Sequence, residues 1–258
     1  MPTLHLLGTG AALSEPHRTT TMLAFADQGE TILVDCGGDV LQRVQQAGLD
    51  FDSIHGLIIT HEHPDHVSGF PLFMEKLWLY KRQKPIHLYG IAPALEQARR
   101  CFAAFDTSGW TNLMPMHWHT VGETENALVL DTHVWHIRST PVVHSVPTVG
   151  LRVTAKSNQA SVVYSCDTEP ADTLERLLQP GDMLVHEANG PIRNHTSAQQ
   201  AAALAARGQA RQLLLVHLPP QLSDADLQEA RAVFPDTAWG EELGKHVLAP
   251  TPQIALSA

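Results

Sequence analysis

The sequence predicts an α/β fold in which two mixed β-sheets pack face to face with helices outside, an αββα sandwich. Three observations lead there. The chain has 258 residues and is 43% hydrophobic, enough for one large α/β core. It reads as two successive halves, each opening with strands and then alternating strand with helix. No linker, low-complexity tract or repeat separates the halves, so a single domain over 1–258 is expected.

The elements follow from pattern. TLHLLGTG reads as a first strand closed by a glycine turn, and TTTMLAFA and ETILVDCGG as two more joined by the hairpin turn DQGE. DVLQRVQQAGL has helical spacing, with Asp39 as N-cap and Gly48 near the stop. HGLIIT is nearly all apolar, as a strand buried on both faces should be. GFPLFMEKLWLYKRQ reads as helix, PIHLYG as strand and APALEQARRCFAAF as amphipathic helix. MPMHWHTV, ALVLDTHVWHIRST and PVVHS read as antiparallel strands, and GLRVTA with ASVVYSCD as a hairpin turning at 156–159. ADTLERLL, SAQQAAALAARG and SDADLQEARAVF are helical, DMLVHEA and QLLLVHL are strands, and a short strand is expected near QIALS.

Seventeen basic against 27 acidic residues leave a net charge of −10, which argues against a large nucleic-acid footprint but not against a small anionic substrate. No apolar run approaches the roughly 18 residues of a membrane span, and the start lacks a basic leader-like stretch. Cys36, Cys101 and Cys166 form no CxxC pair, so buried thiols and a cytoplasmic setting are expected.

The sixteen histidines are unevenly placed. In LIITHEHPDHVSGF, His61, His63, Asp65 and His66 crowd the end of an apolar run. Alternate residues of an extended loop share one side, and imidazole with carboxylate is a metal-ligand set. His144, Asp167 and His217 close later predicted strands, and reactive groups in α/β sheets gather at carboxyl ends. That is more ligand than one ion uses.

These segments, with LLGTGAALSEPHRTTTML, VDCGGDVLQR, VVHSVPTVGLRV, SCDTEP, VHEAN and NHTSAQQAAALA, resemble the metallo-β-lactamase superfamily over nearly the whole chain, and within it the ribonuclease Z branch. The resemblance implies two divalent metal ions, zinc first, with manganese and iron as alternatives. His61, His63 and His144 would hold one ion, Asp65, His66 and His217 the other, and Asp167 would bridge them. Asp35 would orient a ligand histidine, and Glu187 would hold His195 beside the scissile group. The implied reaction is hydrolysis of a phosphodiester by a hydroxide bridging ions roughly 3.5–4 Å apart, with Asp65 orienting it and His195 as proton donor. The helix beginning after His195 would also favour an anion.

Two departures shape the substrate expectation. Ribonuclease Z carries a long arm that grips transfer RNA, whereas only residues 151–166 separate Gly150 from Asp167, and GGDV stands where the family has GEGT. A small or nucleotide-like ester is therefore expected rather than extended tRNA binding. The alternatives are a lactone or thioester hydrolase using the same metals, against which HSVPTVGLRV speaks, and a metal-holding regulatory protein, which would have no need of His195. Relatives in the family are often dimers, and the aromatic segment 72–80 is a candidate contact for a homodimer. His117, His119, His133 and His136 are expected to be half-buried strand residues, Gly8 and Gly10 to be turn glycines, and Lys76, Lys81, Arg82 and Lys84 to serve a helix C-terminus.

Overall fold

The computed structural model describes residues 1–250. The first half runs β1 (Thr3–Gly8), β2 (Met22–Asp27), β3 (Glu30–Val34), α1 (Val40–Gln46), β4 (Ile54–Ile59), α2 (Pro64–Val67), α3 (Phe70–Leu79), β5 (Ile86–Gly90), α4 (Ala92–Ala103) and β6 (Met116–Thr120). The second runs β7 (Ala127–Asp131), β8 (Trp135–Pro141), β9 (Val149–Ala155), β10 (Ser161–Tyr164), α5 (Asp172–Leu177), β11 (Met183–Glu187), α6 (Ala198–Arg207), β12 (Gln212–Val216), α7 (Asp224–Val233), β13 (Thr237–Trp239) and β14 (Gly244–Val247). They form two seven-stranded sheets, ordered β14-β1-β2-β3-β4-β5-β6 and β13-β12-β11-β10-β9-β8-β7.

Period-two alternation builds the layers. Leu4, Leu6, Leu23 and Phe25 face Trp135, Ile137, Leu151 and Val153 in the core between the sheets. Met22, Leu33, Leu57, Phe70, Phe73 and Leu95 fill the layer between the first sheet and its helices. Val163, Leu184, Leu213 and the alanines of α6 do the same for the second sheet. The expected sandwich is the observed one.

Four local readings are corrected. β6 pairs with β5 in parallel, not antiparallel, because the long α4 crossover returns the chain in the same direction. ALVLDTHVWHIRST is not one strand but the hairpin β7–β8, its turn held by the Thr132 hydroxyl accepting from the Val134 and Trp135 amides. PVVHS is no separate strand: Pro141 ends β8 opposite Val149, Val142 N–H donates to the Thr148 carbonyl, and Val143 makes only an isolated bridge with Glu169. His117, His119 and His133 are exposed, and His117 and His119 stack on His87 rather than sinking into the core. The expected strand near QIALS lies outside the described residues, and β14 takes the first-sheet edge instead.

The basic segment after α3 is structural. Arg82 is only 4% exposed and donates to the carbonyls of Phe51, Ile54 and Pro85, while Lys76 pairs with Asp39 and Lys84 with Asp52.

Strands β3 to β6 are parallel, as are β10 to β13, so each sheet presents a rim of strand carboxyl ends. No helix among the described residues is long and apolar enough to cross a membrane.

Candidate metal centre

Three strand ends reach the rim through a left-handed residue that is not glycine: Asp35 after β3 (φ 61°), Cys166 after β10 (φ 54°) and His217 after β12 (φ 54°). Each such conformation costs about 1–3 kcal/mol and persists where the surroundings dictate it. Here it turns Asp35 and His217 inward and sets Asp167 directly after a bend. Close backbone approach does the rest. A Cβ on Gly37 would lie 1.6 Å from the Asp65 carbonyl, so only glycine lets the 35–38 turn pack under the histidine loop. The two loops are then laced by Cys36 N–H to the His66 carbonyl and Gly69 N–H to the Cys36 carbonyl, both 2.8 Å. Gly8 is likewise a packing glycine, its Cβ position 2.0 Å from the Thr20 carbonyl.

The predicted residues converge. Asp167 Oδ2 lies 3.3 Å from His217 Nε2, 3.5 Å from His66 Nε2, 3.9 Å from His144 Nε2 and 4.0 Å from His61 Nε2. His63 Nδ1 sits 3.1 Å from both His61 Nε2 and His144 Nε2. Asp65 Oδ2 sits 3.3 Å from His217 Nε2 and 3.4 Å from His66 Nε2. Two sets of donor atoms, each mutually within 4.8 Å, result: His61, His63, His144 and Asp167, and Asp65, His66, Asp167 and His217. His144 comes from the loop after β8, three residues beyond the strand end where it was expected.

Hydrogen bonds fix the imidazole tautomers. His66 Nδ1 donates to Asp35 Oδ2 and His144 Nδ1 to the Asn194 carbonyl, both at 2.9 Å. His61 Nδ1 lies 3.2 Å from the Thr60 hydroxyl, which itself donates to Asp35 at 2.9 Å. Each of these rings therefore turns an Nε2 lone pair toward the others and toward Asp167. Crowded lone pairs repel unless a cation lies among them. His66 Nε2, Asp167 Oδ1 and His217 Nδ1 are buried without a hydrogen-bond partner. The donor set thus fits divalent metal.

The carboxylates are held ionised. Burial would raise Asp65 and Asp167, but the imidazoles of His217 and His66 beside them outweigh it and hold both well below the usual carboxylate range. Cys166 also lies near His61 and His66, but burial pushes its thiol up, so it stays protonated and donates to Thr60 at 2.9 Å. It packs as the small hydrophobe expected.

Beside this cluster, His195 Nδ1 donates to Glu187 Oε1 at 2.9 Å, and its ring stacks on His217 at 5.5 Å. Glu187 is fully buried and also accepts from the amides of Thr168 and Asn189. Burial pushes its carboxyl up, with the His195 hydrogen bond pulling the other way. The α6 N-terminus is less free for an anion than expected: Ser197 and Gln200 form a capping box that takes up two of its amides. Sequence reading missed Thr60, Asn194 and Thr168 as supports; Thr60 alone left a trace, as the polar residue between LII and HEH.

Asp35 bonds Thr60 and His66 but belongs to neither donor set. Asp35→Ala should weaken metal affinity by ~10–100-fold without removing a ligand. Competition against a chelating dye measures this, and wild-type affinity would deny Asp35 that role.

The model of one protein family, described as anti-Pycsar protein Apyc1, matches residues 2–236. The curated ribonuclease Z of Pyrococcus abyssi is 26% identical across 86% of this chain and 88% of its own length. Human tRNase Z, short form, superposes with a TM-score of 0.79 at 22% identity, covering 95% of this chain and 99% of that one. The metallo-β-lactamase fold protein YhfI from Bacillus subtilis gives 0.78 at 20% identity, covering 95% and 98%. The fold is that of the metallo-β-lactamases, and the chain is a ribonuclease Z-like, metal-dependent hydrolase.

Proposed function

This chain belongs to the anti-Pycsar protein Apyc1 family, and from that premise we propose that it is a dinuclear phosphodiesterase acting on a small or nucleotide-like ester. The observation that carries the reading is Asp167 Oδ2, shared by two donor sets, with the His195–Glu187 pair alongside. His61, His63 and His144 would hold one ion, Asp65, His66 and His217 the second, and Asp167 both. When bound, the ions supply an activated water and neutralise charge on the phosphoryl oxygens.

The chain's own residues supply the rest. Ionised Asp65 accepts a hydrogen bond from the attacking water and sets its direction. Glu187 holds the Nδ1–H of His195, which leaves Nε2 to hold the mobile proton. As the new P–O bond forms and the old one breaks, that proton passes from Nε2 to the departing oxygen. The products are a phosphomonoester and an alcohol.

Two features support a small substrate. β9 and β10 are joined by a tight turn with Gln159 at φ 62°, and no arm projects between them. The net charge of −10 disfavours a long polyanion.

The test is turnover by metal-loaded protein on bis-p-nitrophenyl phosphate, cyclic nucleotides, short RNAs, a precursor tRNA, lactones and thioesters. Phosphodiester turnover with small substrates preferred over the tRNA is expected. Lactone or thioester turnover without phosphodiester turnover would move the function to acyl hydrolysis.

A further inference from the structure

We propose that a cavity on the outer face of the second sheet, away from the metal-donor cluster, binds a small phosphate-bearing anion. The cavity has a volume of about 240 Å³ and is lined by Arg138, Thr140, Arg152, Thr154, Thr173 and Arg176, among others.

The strand alternation creates it. Trp135 and Ile137 of β8 point into the core between the sheets, which sends His136, Arg138 and Thr140 to the opposite face. Arg138 is then register partner to Arg152 of β9. Like charges directly opposite across a strand pair are unfavourable unless something neutralises them. Only part of that is done by the protein. Asp182 takes Arg152 through Nε at 2.8 Å and Nη2 at 3.0 Å, and Glu125 takes Arg176 through Nε at 2.9 Å and Nη2 at 2.8 Å. Arg138 pairs with no carboxylate among the described residues; its Nε donates to His136 Nε2 and its Nη1 to the Asn126 carbonyl. Of the three guanidiniums lining the cavity, Arg152 and Arg176 are matched by Asp182 and Glu125, with Asp172 a further acid near Arg176, so Arg138 is the one without a carboxylate of its own.

Donors are also left over. Arg138 Nη2 and Arg176 Nη1 have no hydrogen-bond partner among the described residues. The Thr140 hydroxyl is likewise without a partner although the residue is 1% exposed, and a buried hydroxyl left so is unfavourable. A phosphate monoester or inorganic phosphate has three or more acceptor oxygens for these donors and a geometry matched to guanidinium; a carboxylate has two.

Calorimetric titration of the metal-loaded protein with inorganic phosphate, and in a second arm with phenyl phosphate, tests the proposal. Arg138→Gln and Thr140→Val are titrated in parallel. Thr140→Val removes a hydroxyl without a partner, so it keeps the fold if Arg138→Gln does not. Wild type should show a class of sites that each variant weakens roughly tenfold or more, with phosphodiester turnover unchanged. The arm with the tighter binding tells free phosphate from a monoester as ligand. Equal binding by wild type and both variants would overturn the proposal, since all anion would then sit at the metals. Displacement by an equal concentration of chloride would overturn it too, as the mark of an adventitious ion only.

Discussion

Asp167→Ala is expected to come off purification and dialysis with neither metal ion, while wild type retains both. The reason lies in one atom. Asp167 Oδ2 is within 4.0 Å of four imidazole Nε2 atoms drawn from both donor sets, and its carboxylate is the only group the two sets share. Removing it opens both sets at once and deletes one of the two carboxylates that would face the ions. His63→Ala is the control. His63 belongs to one set, so one ion per chain should remain. Elemental analysis decides the matter, and two ions on Asp167→Ala would remove Asp167 as the bridge.

The second large effect is kinetic. His195→Ala should keep both ions and lose turnover by ~10²–10³-fold, the scale for deleting one positioned transition-state donor. The loss should depend on the leaving group. An alkoxide such as a ribose oxygen needs its proton as the P–O bond breaks, whereas p-nitrophenolate leaves readily without one. The full loss is therefore expected on a nucleotide ester, and a much smaller one on bis-p-nitrophenyl phosphate. Glu187→Gln should follow the same pattern more weakly, because the amide no longer offers a carboxylate to the His195 Nδ1–H. Equal losses on both substrates would mean that His195 positions substrate rather than delivering a proton.

Short, strongly patterned signals were the legible ones. The HEHPDH run, Asp35 after TILV, Asp167 after VVYSC and His217 after QLLLV all announce a polar group at the end of an apolar strand, and all reach the rim. The α1 cap at Asp39 and the β9–β10 hairpin were equally plain, because capping and turns depend on near neighbours in sequence. β6 was misread because MHWHT alternates like an edge strand of either direction; direction is set by the α4 crossover, not by the strand. PVVHS was misread because only Pro141 continues β8; beyond it Val143 makes one isolated bridge to Glu169, which leaves His144 on a loop.

By itself the sequence determined the residue types, the strand and helix periods, and hence the two-layer sheet core with donors at strand ends. Only the tertiary structure decided how those donors face one another. The left-handed turns at Asp35, Cys166 and His217, the contact that Gly37 permits beneath Asp65, and the partners that fix each imidazole tautomer join residues tens to more than a hundred positions apart. The paired arginines of β8 and β9 belong to the same class, since Arg138 meets Arg152 only through strand register. Local sequence carries local periodicity. Charge and lone-pair geometry depend on which distant strands pack together, and that is fixed only when the whole core closes.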